Sequence, residues 1–248
     1  MAAIPVGIQL YTVRDLLDQD FKGTLVALAE MGYQGVEFAW HYGGLSPDEM
    51  ASFLRTISLR AIGFHTSLEE MLNPDSTTYA YARALDGKYL TTGLPGDVES
   101  NWLNAIERCA AAAKAVKAQG CTFTYHNHAQ ELALIGDEYA LDQLYAATDP
   151  ALVQAELDTF WIAKGGAEVV PYIRKHAGRE PEIHLKDMNP ETGSFTEVGN
   201  GILDWPAIFD AAKDGGAEWV IVEQDVCPGN SLDSARMSIE NLKRMGLA

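Results

Sequence analysis

Short apolar runs alternate with longer amphipathic stretches along the whole chain, which predicts strands and helices in turn. The strand candidates are Ile4–Leu10, Gln34–Phe38, Arg60–His65, Lys88–Thr92, Cys121–His126, Val153–Leu157, Glu182–Lys186 and Glu218–Glu223. Helix candidates lie between them at Phe21–Met31, Pro47–Ile57, Asn101–Gln119, Tyr139–Ala147, Pro171–His176, Trp205–Lys213 and Ser231–Met245. Asn101–Gln119 is the clearest, rich in alanine and followed by Gly120 where a C-terminal cap belongs. Gly32, Gly87 and Gly178 are expected to close other helices in the same way. Eight strand–helix units in 248 residues predict an α/β fold, a single (β/α)8 TIM barrel with 1–248 as one domain. The competing doubly wound sheet would bring a glycine-rich loop after the first strand, where Thr12-Val13-Arg14-Asp15 stands instead. The longest irregular stretch, Asp187–Asp204, is expected to form a lid or rim loop over the barrel mouth.

Polar groups interrupt this pattern at the ends of four strands, in Tyr125-His126-Asn127-His128, Glu156-Leu157-Asp158, His184-Leu185-Lys186-Asp187 and Val222-Glu223-Gln224-Asp225. A carboxylate or imidazole inside an apolar strand is costly unless it is paired or bound to metal. Alternation along a strand puts His126 with His128 on one face, and likewise Glu156 with Asp158, His184 with Lys186 and Glu223 with Asp225. His126, Asp158, His184 and Glu223 then form a ring of two imidazoles and two carboxylates at one level. Such a mixed nitrogen and oxygen set suits Mn²⁺, Zn²⁺, Co²⁺ or Fe²⁺ better than Ca²⁺. The first half adds Gln9 and Tyr11 on one face, Arg14 after the first strand, His65 at the end of the third, and Glu37 inside an apolar strand. Pairing with Arg14 or Arg60 is the structural alternative for Glu37, and packing between helices is that for Trp161. His41 and His176 are expected at the surface.

Composition narrows the partners. A net charge of −17 argues against nucleic acid and anionic membranes, which call for a basic footprint. No run approaches the length of a membrane span, and the first residues lack the pattern of a signal peptide. Three widely spaced cysteines fit a reducing, cytoplasmic setting better than a disulfide frame.

The chain resembles the xylose-isomerase-like barrel superfamily over nearly its whole length, and specifically the sugar phosphate isomerase/epimerase family. The resemblance rests on the four runs above together with Glu131, on Gln9-Leu10-Tyr11-Thr12-Val13-Arg14-Asp15, on Gly35-Val36-Glu37-Phe38, and on Val198-Gly199-Asn200-Gly201 leading to Asp204-Trp205. It implies one divalent cation, Mn²⁺ foremost and Zn²⁺, Co²⁺ or Fe²⁺ otherwise, held by Asp158, His184 and Glu223. His126 stands where a ketose epimerase carries a carboxylate and is the provisional fourth ligand, with Glu131 as the alternative. Trp161 stands where the apurinic endonucleases of the superfamily have a metal-binding histidine.

The implied chemistry is removal of a proton beside a carbonyl, giving a metal-stabilised enediolate. Glu223 would double as base, His128 and Glu131 would serve as general acid and base, and Lys186 would stabilise an enediolate oxygen or pair with Glu156 or Asp158. Tyr11, Arg14, Glu37, His65 and Trp161 are the expected substrate contacts. The expected function is that of a sugar isomerase or epimerase acting on an unphosphorylated sugar or cyclitol, with self-association left open. The rivals are a lyase or dehydratase of the inosose-dehydratase or 3-keto-glycoside type, and a non-catalytic sugar-binding subunit.

Overall fold

Eight parallel strands close into one barrel in the computed structural model, which describes residues 4–93 and 98–248. They are β1 (Val6–Gln9), β2 (Gly35–Ala39), β3 (Arg60–His65), β4 (Tyr89–Thr92), β5 (Thr122–His126), β6 (Val153–Asp158), β7 (Glu182–Leu185) and β8 (Trp219–Val222). Each pairs with its sequence neighbours, and β8 returns to β1 through Val6 opposite Val220 and Ile8 opposite Val222. The fold is the single (β/α)8 TIM barrel that the alternating pattern predicts.

The helices are α1 (Arg14–Met31), α2 (Pro47–Thr56), α3 (Leu68–Leu72), α4 (Thr77–Leu85), α5 (Val98–Ala118), α6 (Ala140–Ala146), α7 (Thr159–Lys164), α8 (Val169–Lys175), α9 (Trp205–Gly215) and α10 (Ser231–Arg244). Three of them, α3, α4 and α7, escape the sequence reading; α3 and α7 are too short to show a helical period. Helix α1 starts before the expected Phe21 because a 3₁₀ turn at Leu10–Val13 runs straight into it. The expected start marks a kink instead: Asp20 leaves helical geometry at φ −150° and its carboxylate accepts from Gly23 N at 2.9 Å. Gly32 and Gly120 end their helices at positive φ, as expected. Gly87 does not, because Asp86 takes the left-handed position after α4; a Cβ on Gly87 would meet the Phe64 ring at 2.4 Å. His176 caps α8, and Gly178, at φ 83°, follows it in the turn.

Strand alternation sorts the core into two parts. Ile8, Val36, Phe38, Phe64, Leu90, Phe123, Leu157, Ile183, Leu185, Val220 and Val222 belong to the large buried cluster shared with the helices. Ile62, Tyr89, Trp219 and Ile221 make a separate small cluster, which plugs the lower end of the barrel. The polar residues of the strands therefore gather above the plug, toward the C-terminal ends where barrel enzymes carry their sites.

The stretch 187–204 is not the free lid that its irregular composition suggests. Asp187–Met188 pairs with Phe195–Thr196, and the buried Asp187 carboxylate accepts from the backbone N–H groups of Met188, Gly199, Gly201 and Leu203 and from Trp205 Nε1. Among the described residues, no helix is long and apolar enough to cross a membrane.

Glu180, buried ahead of β7, gives a pH-dependent stability. Burial pushes its carboxyl up to about 7, although the Arg179 N–H at 3.1 Å pulls the other way. The unfolded chain releases this proton near pH 4.5 and the folded chain only near 7, so stability is lost as pH rises between them. Glu180→Gln is expected to remove a slope worth on the order of 2 kcal/mol across that window. Urea denaturation at pH 5 and pH 8 for both proteins measures it.

Candidate metal centre

The inward faces of β5 to β8 meet at the mouth. His126, Asp158, His184 and Glu223, all buried, each offer a ligand atom, and these atoms lie within 4.8 Å of one another. His126 Nε2 and Asp158 Oδ2 face each other at 3.4 Å, and neither makes a hydrogen bond. Lys186 Nζ stands 3.1 Å from that Asp158 oxygen, 2.8 Å from Glu223 Oε2 and 2.9 Å from Asp225 Oδ1. His184 Nδ1 lies 2.7 Å from Glu223 Oε2. With its Nδ1 on Glu156, His126 turns the lone pair of Nε2 toward the Asp158 carboxylate oxygen. Two such electron-pair donors, set among further nitrogen and oxygen groups, are what a divalent cation satisfies, so the residues present fit such an ion.

A second layer lies beneath. His184 Nε2 reaches Glu37 Oε2 at 2.8 Å, His126 Nδ1 reaches Glu156 Oε2 at 2.9 Å, and His65 Nε2 bridges Glu156 at 2.8 Å and Glu37 at 3.2 Å. Gln9 Nε2 donates to Glu37 at 2.7 Å, and Thr91 Oγ1 lies between Glu37 and Glu156 at 3.4 Å from each. Each imidazole of the ring thus turns one nitrogen up to the mouth and the other down to a carboxylate, the arrangement that fixes tautomer and ring orientation in histidine metal ligands. In the lower cluster of His65, His126, Glu156 and His184, the His126 and His184 nitrogens belong to rings already used above, and serving two ions would require both rings to lose both protons.

Charge in this cluster is balanced internally. Burial works against the imidazolium of His65, but Glu37 and Glu156 outweigh it and raise the group to about 10. His184 is raised in the same way, against burial, by Glu156, Glu37 and Glu223. Burial alone would raise the carboxyls of Asp158 and Glu223; Lys186 and the neighbouring histidines hold both below the usual range. Glu156 is expected to act through His126. Glu156→Gln should weaken divalent-ion binding about 10- to 100-fold, read by equilibrium dialysis.

The other residues singled out in the sequence divide sharply. Tyr11, His65, His126, His128, Lys186 and Glu223 line a cavity of about 630 Å³ at the mouth. Glu131 does not reach it. Its buried carboxylate accepts from Tyr125 Oη at 2.9 Å and His128 N at 2.8 Å, outside the barrel wall, which removes it as the fourth ligand and as an acid or base. Glu37 is fully buried under His184, bonded to neither Arg14 nor Arg60, and is no substrate contact. Arg14 stacks on the Tyr11 ring at 3.9 Å and donates to the carbonyls of Tyr11 and Asp225, which anchors the rim rather than lining the cavity. Trp161 stands behind His128 and packs against Phe160 and Phe195. His176 is not at the surface: it is buried and paired with Asp142 at 3.0 Å.

Three residues were missed. Glu156 was visible as the partner two positions before Asp158, but nothing assigned it to His126. Asp225 was visible by the same spacing from Glu223. Trp40, which lines the cavity, left no periodic signal.

Comparison with known proteins follows the same lines. The sequence profile of the xylose isomerase-like TIM barrel family matches residues 25–245. Inosose dehydratase from Clostridium botulinum (strain Alaska E43 / Type E3) is 28% identical over 170 residues, 60% of this chain. The match takes in 54% of that protein, so the chain spans about half the length of the curated relative. A sugar phosphate isomerase/epimerase structure from Parabacteroides distasonis ATCC 8503 superposes with a TM-score of 0.81 at 21% identity, covering 97% of this chain and 98% of that one. The IolI protein, solved with a zinc atom, superposes with a TM-score of 0.76 at 14% identity, covering 98% and 96%.

Proposed function

Since the chain belongs to the xylose isomerase-like TIM barrel family, we propose that it is a divalent-metal-dependent sugar isomerase or epimerase. Its substrate is a sugar, keto-sugar or cyclitol bearing a carbonyl. The observation that carries this reading is the convergence of His126 Nε2, buried without a hydrogen bond, on Asp158 Oδ2, inside a ring of donors at the barrel mouth. His126, Asp158, His184 and Glu223 would hold the ion, with Mn²⁺ the first candidate and Zn²⁺, Co²⁺ or Fe²⁺ the others. When bound, the ion supplies a Lewis acid that polarises a carbonyl oxygen and favours the enediolate form of the substrate.

The protein groups do the rest. His128 faces the cavity with Nδ1 free of hydrogen bonds, and burial, with His126 and Lys186 beside it, pushes it down to about 3. Its imidazole is therefore neutral at pH 7, a weak proton acceptor placed to hydrogen-bond a substrate hydroxyl and relay a proton rather than to abstract one from carbon unaided. Lys186 stays charged, held by Asp158, Glu223 and Asp225, and supplies positive charge where an oxygen becomes negative. Glu223 is the second candidate for proton transfer, since its carboxylate both lines the cavity and touches Lys186.

A lyase reading shares the first step and diverges when a β-oxygen group leaves; the similarity to inosose dehydratase favours it. One experiment addresses both. The metal-loaded protein is incubated with keto-sugars and inososes in D₂O and followed by NMR. Deuterium entering the carbon beside the carbonyl is the expected result. Unchanged mass apart from deuterium then marks an isomerase or epimerase, and loss of water or of a glycosidic group marks a lyase. Absence of exchange across the panel, with ligand still bound, would favour the sugar-binding subunit instead.

A further inference from the structure

We propose that the mouth carries a second ring-binding subsite built on Trp40 and Tyr11, so that the preferred substrate is a sugar joined to a second ring rather than a free monosaccharide. This rests on the sugar reading above and deepens it.

Strand alternation would send Trp40 to the outer wall with Val36 and Phe38, both fully buried. Instead its backbone turns left-handed at φ 56°, a conformation that a bulky residue adopts rarely and at a cost. The reversal swings the indole over the cavity, where it is 63% exposed. A buried tryptophan would repay the strain through packing, but this one is left open to solvent. Its neighbours hold it upright by their edges: Tyr11 at 6.5 Å and 86°, His65 at 6.4 Å and 88°. Tyr11 is itself fixed by the Arg14 guanidinium 3.9 Å over its ring.

Position decides what the indole can touch. His65 stands between Trp40 and the donor ring, 5.1 Å from His126 and 5.6 Å from His184 by ring centres. A sugar seated over Asp158 and His184 therefore lies an imidazole's width away from Trp40. The 630 Å³ cavity continues past that point to Thr66, Leu68 and Thr92, which leaves room for a second unit.

Charge selects a neutral one. The Arg14 guanidinium is engaged by carbonyls, Arg108 is paired with Glu69, and Asp225 adds a carboxylate to the wall. Among the described residues, a phosphate would meet no cation there that is not already paired, since Lys186 is held by three carboxylates. A ring with an apolar face fits, whether an aromatic aglycone or a second pyranose.

Calorimetry on the metal-loaded protein tests this with matched sets of 3-keto-sugars from the glucose, galactose and xylose series, each carrying the carbonyl that the sugar reading requires: the methyl glycoside, the phenyl glycoside and the disaccharide. At least one series is expected to bind, with the phenyl glycoside or the disaccharide about tenfold tighter than the methyl glycoside. The tighter of the two identifies the second ring. Trp40→Ala should erase that preference by weakening the ring-bearing ligand about tenfold more than the methyl glycoside, whereas Trp40→Phe should keep most of it. Equal affinities in the unaltered protein would overturn the subsite alone. So would equal weakening of the methyl and ring-bearing ligands by Trp40→Ala. No binding in any series, with the metal bound, would overturn the subsite and the sugar reading together.

Discussion

Asp158→Asn is expected to lower divalent-ion affinity by at least about 100-fold and turnover by about 10³-fold, while the metal-free protein folds as before. The substitution is chosen for what it spares. Asp158 Oδ1 accepts from Trp161 N at 2.9 Å and caps α7, and an asparagine oxygen can keep that bond. What changes is Oδ2, which pairs with Lys186 Nζ at 3.1 Å and faces His126 Nε2 at 3.4 Å, where an amide nitrogen can donate to the imidazole. Lys186 loses one carboxylate but keeps Glu223 and Asp225, so no buried charge is left unpaired. Elemental analysis, equilibrium dialysis with Mn²⁺ or Zn²⁺ and a melting curve of the metal-free form read the three effects separately. Unchanged metal content in a folded Asp158→Asn protein would remove the ring as the ion site.

How far the sequence can be read follows from where the backbone is constrained. Within a strand, side chains must alternate, so the shared inward face of His126, Asp158, His184 and Glu223 is legible from spacing alone. The same rule carries to Lys186 and Asp225, which continue their strands by extension. It stops where the chain leaves extended geometry. Glu131, three residues past His128, has turned into a 3₁₀ segment, and its carboxylate satisfies the His128 N–H instead of facing the mouth. Trp40 is one residue past β2 and already left-handed, which reverses the side that alternation assigns to it. Asp20 interrupts α1 from within, and hydrophobic spacing alone takes the kink for a beginning. Glu37 shows a different limit. Its inward direction was legible, but its depth depends on barrel stagger, which places it under His184 from a strand far away in sequence.

Asp187 and Asp158 look alike in sequence, each an acid at the end of a barrel strand, but the structure turns Asp158 to the barrel mouth and Asp187 to the backbone of the rim. Asp187→Ala is expected to lower stability by roughly 4 kcal/mol, about 10 °C in melting temperature, with little loss of metal affinity below the transition. The fully buried Asp187 carboxylate gathers four backbone N–H groups and the Trp205 indole N–H at 2.8 to 3.2 Å. Removing it leaves those donors without their acceptor and frees the chain between β7 and α9. Asp187→Asn should do nearly as much damage, which separates it from Asp158→Asn. Gly199 N, Gly201 N and Trp205 Nε1 all donate to Oδ2 while Met188 N and Leu203 N donate to Oδ1, so an amide nitrogen in either place meets donors. Thermal melts and metal binding on both aspartates, each as alanine and asparagine, make the comparison. An Asp187→Asn protein that melts normally but binds no ion would reverse the two roles, because only an ion ligand is sensitive to the charge and indifferent to the fold.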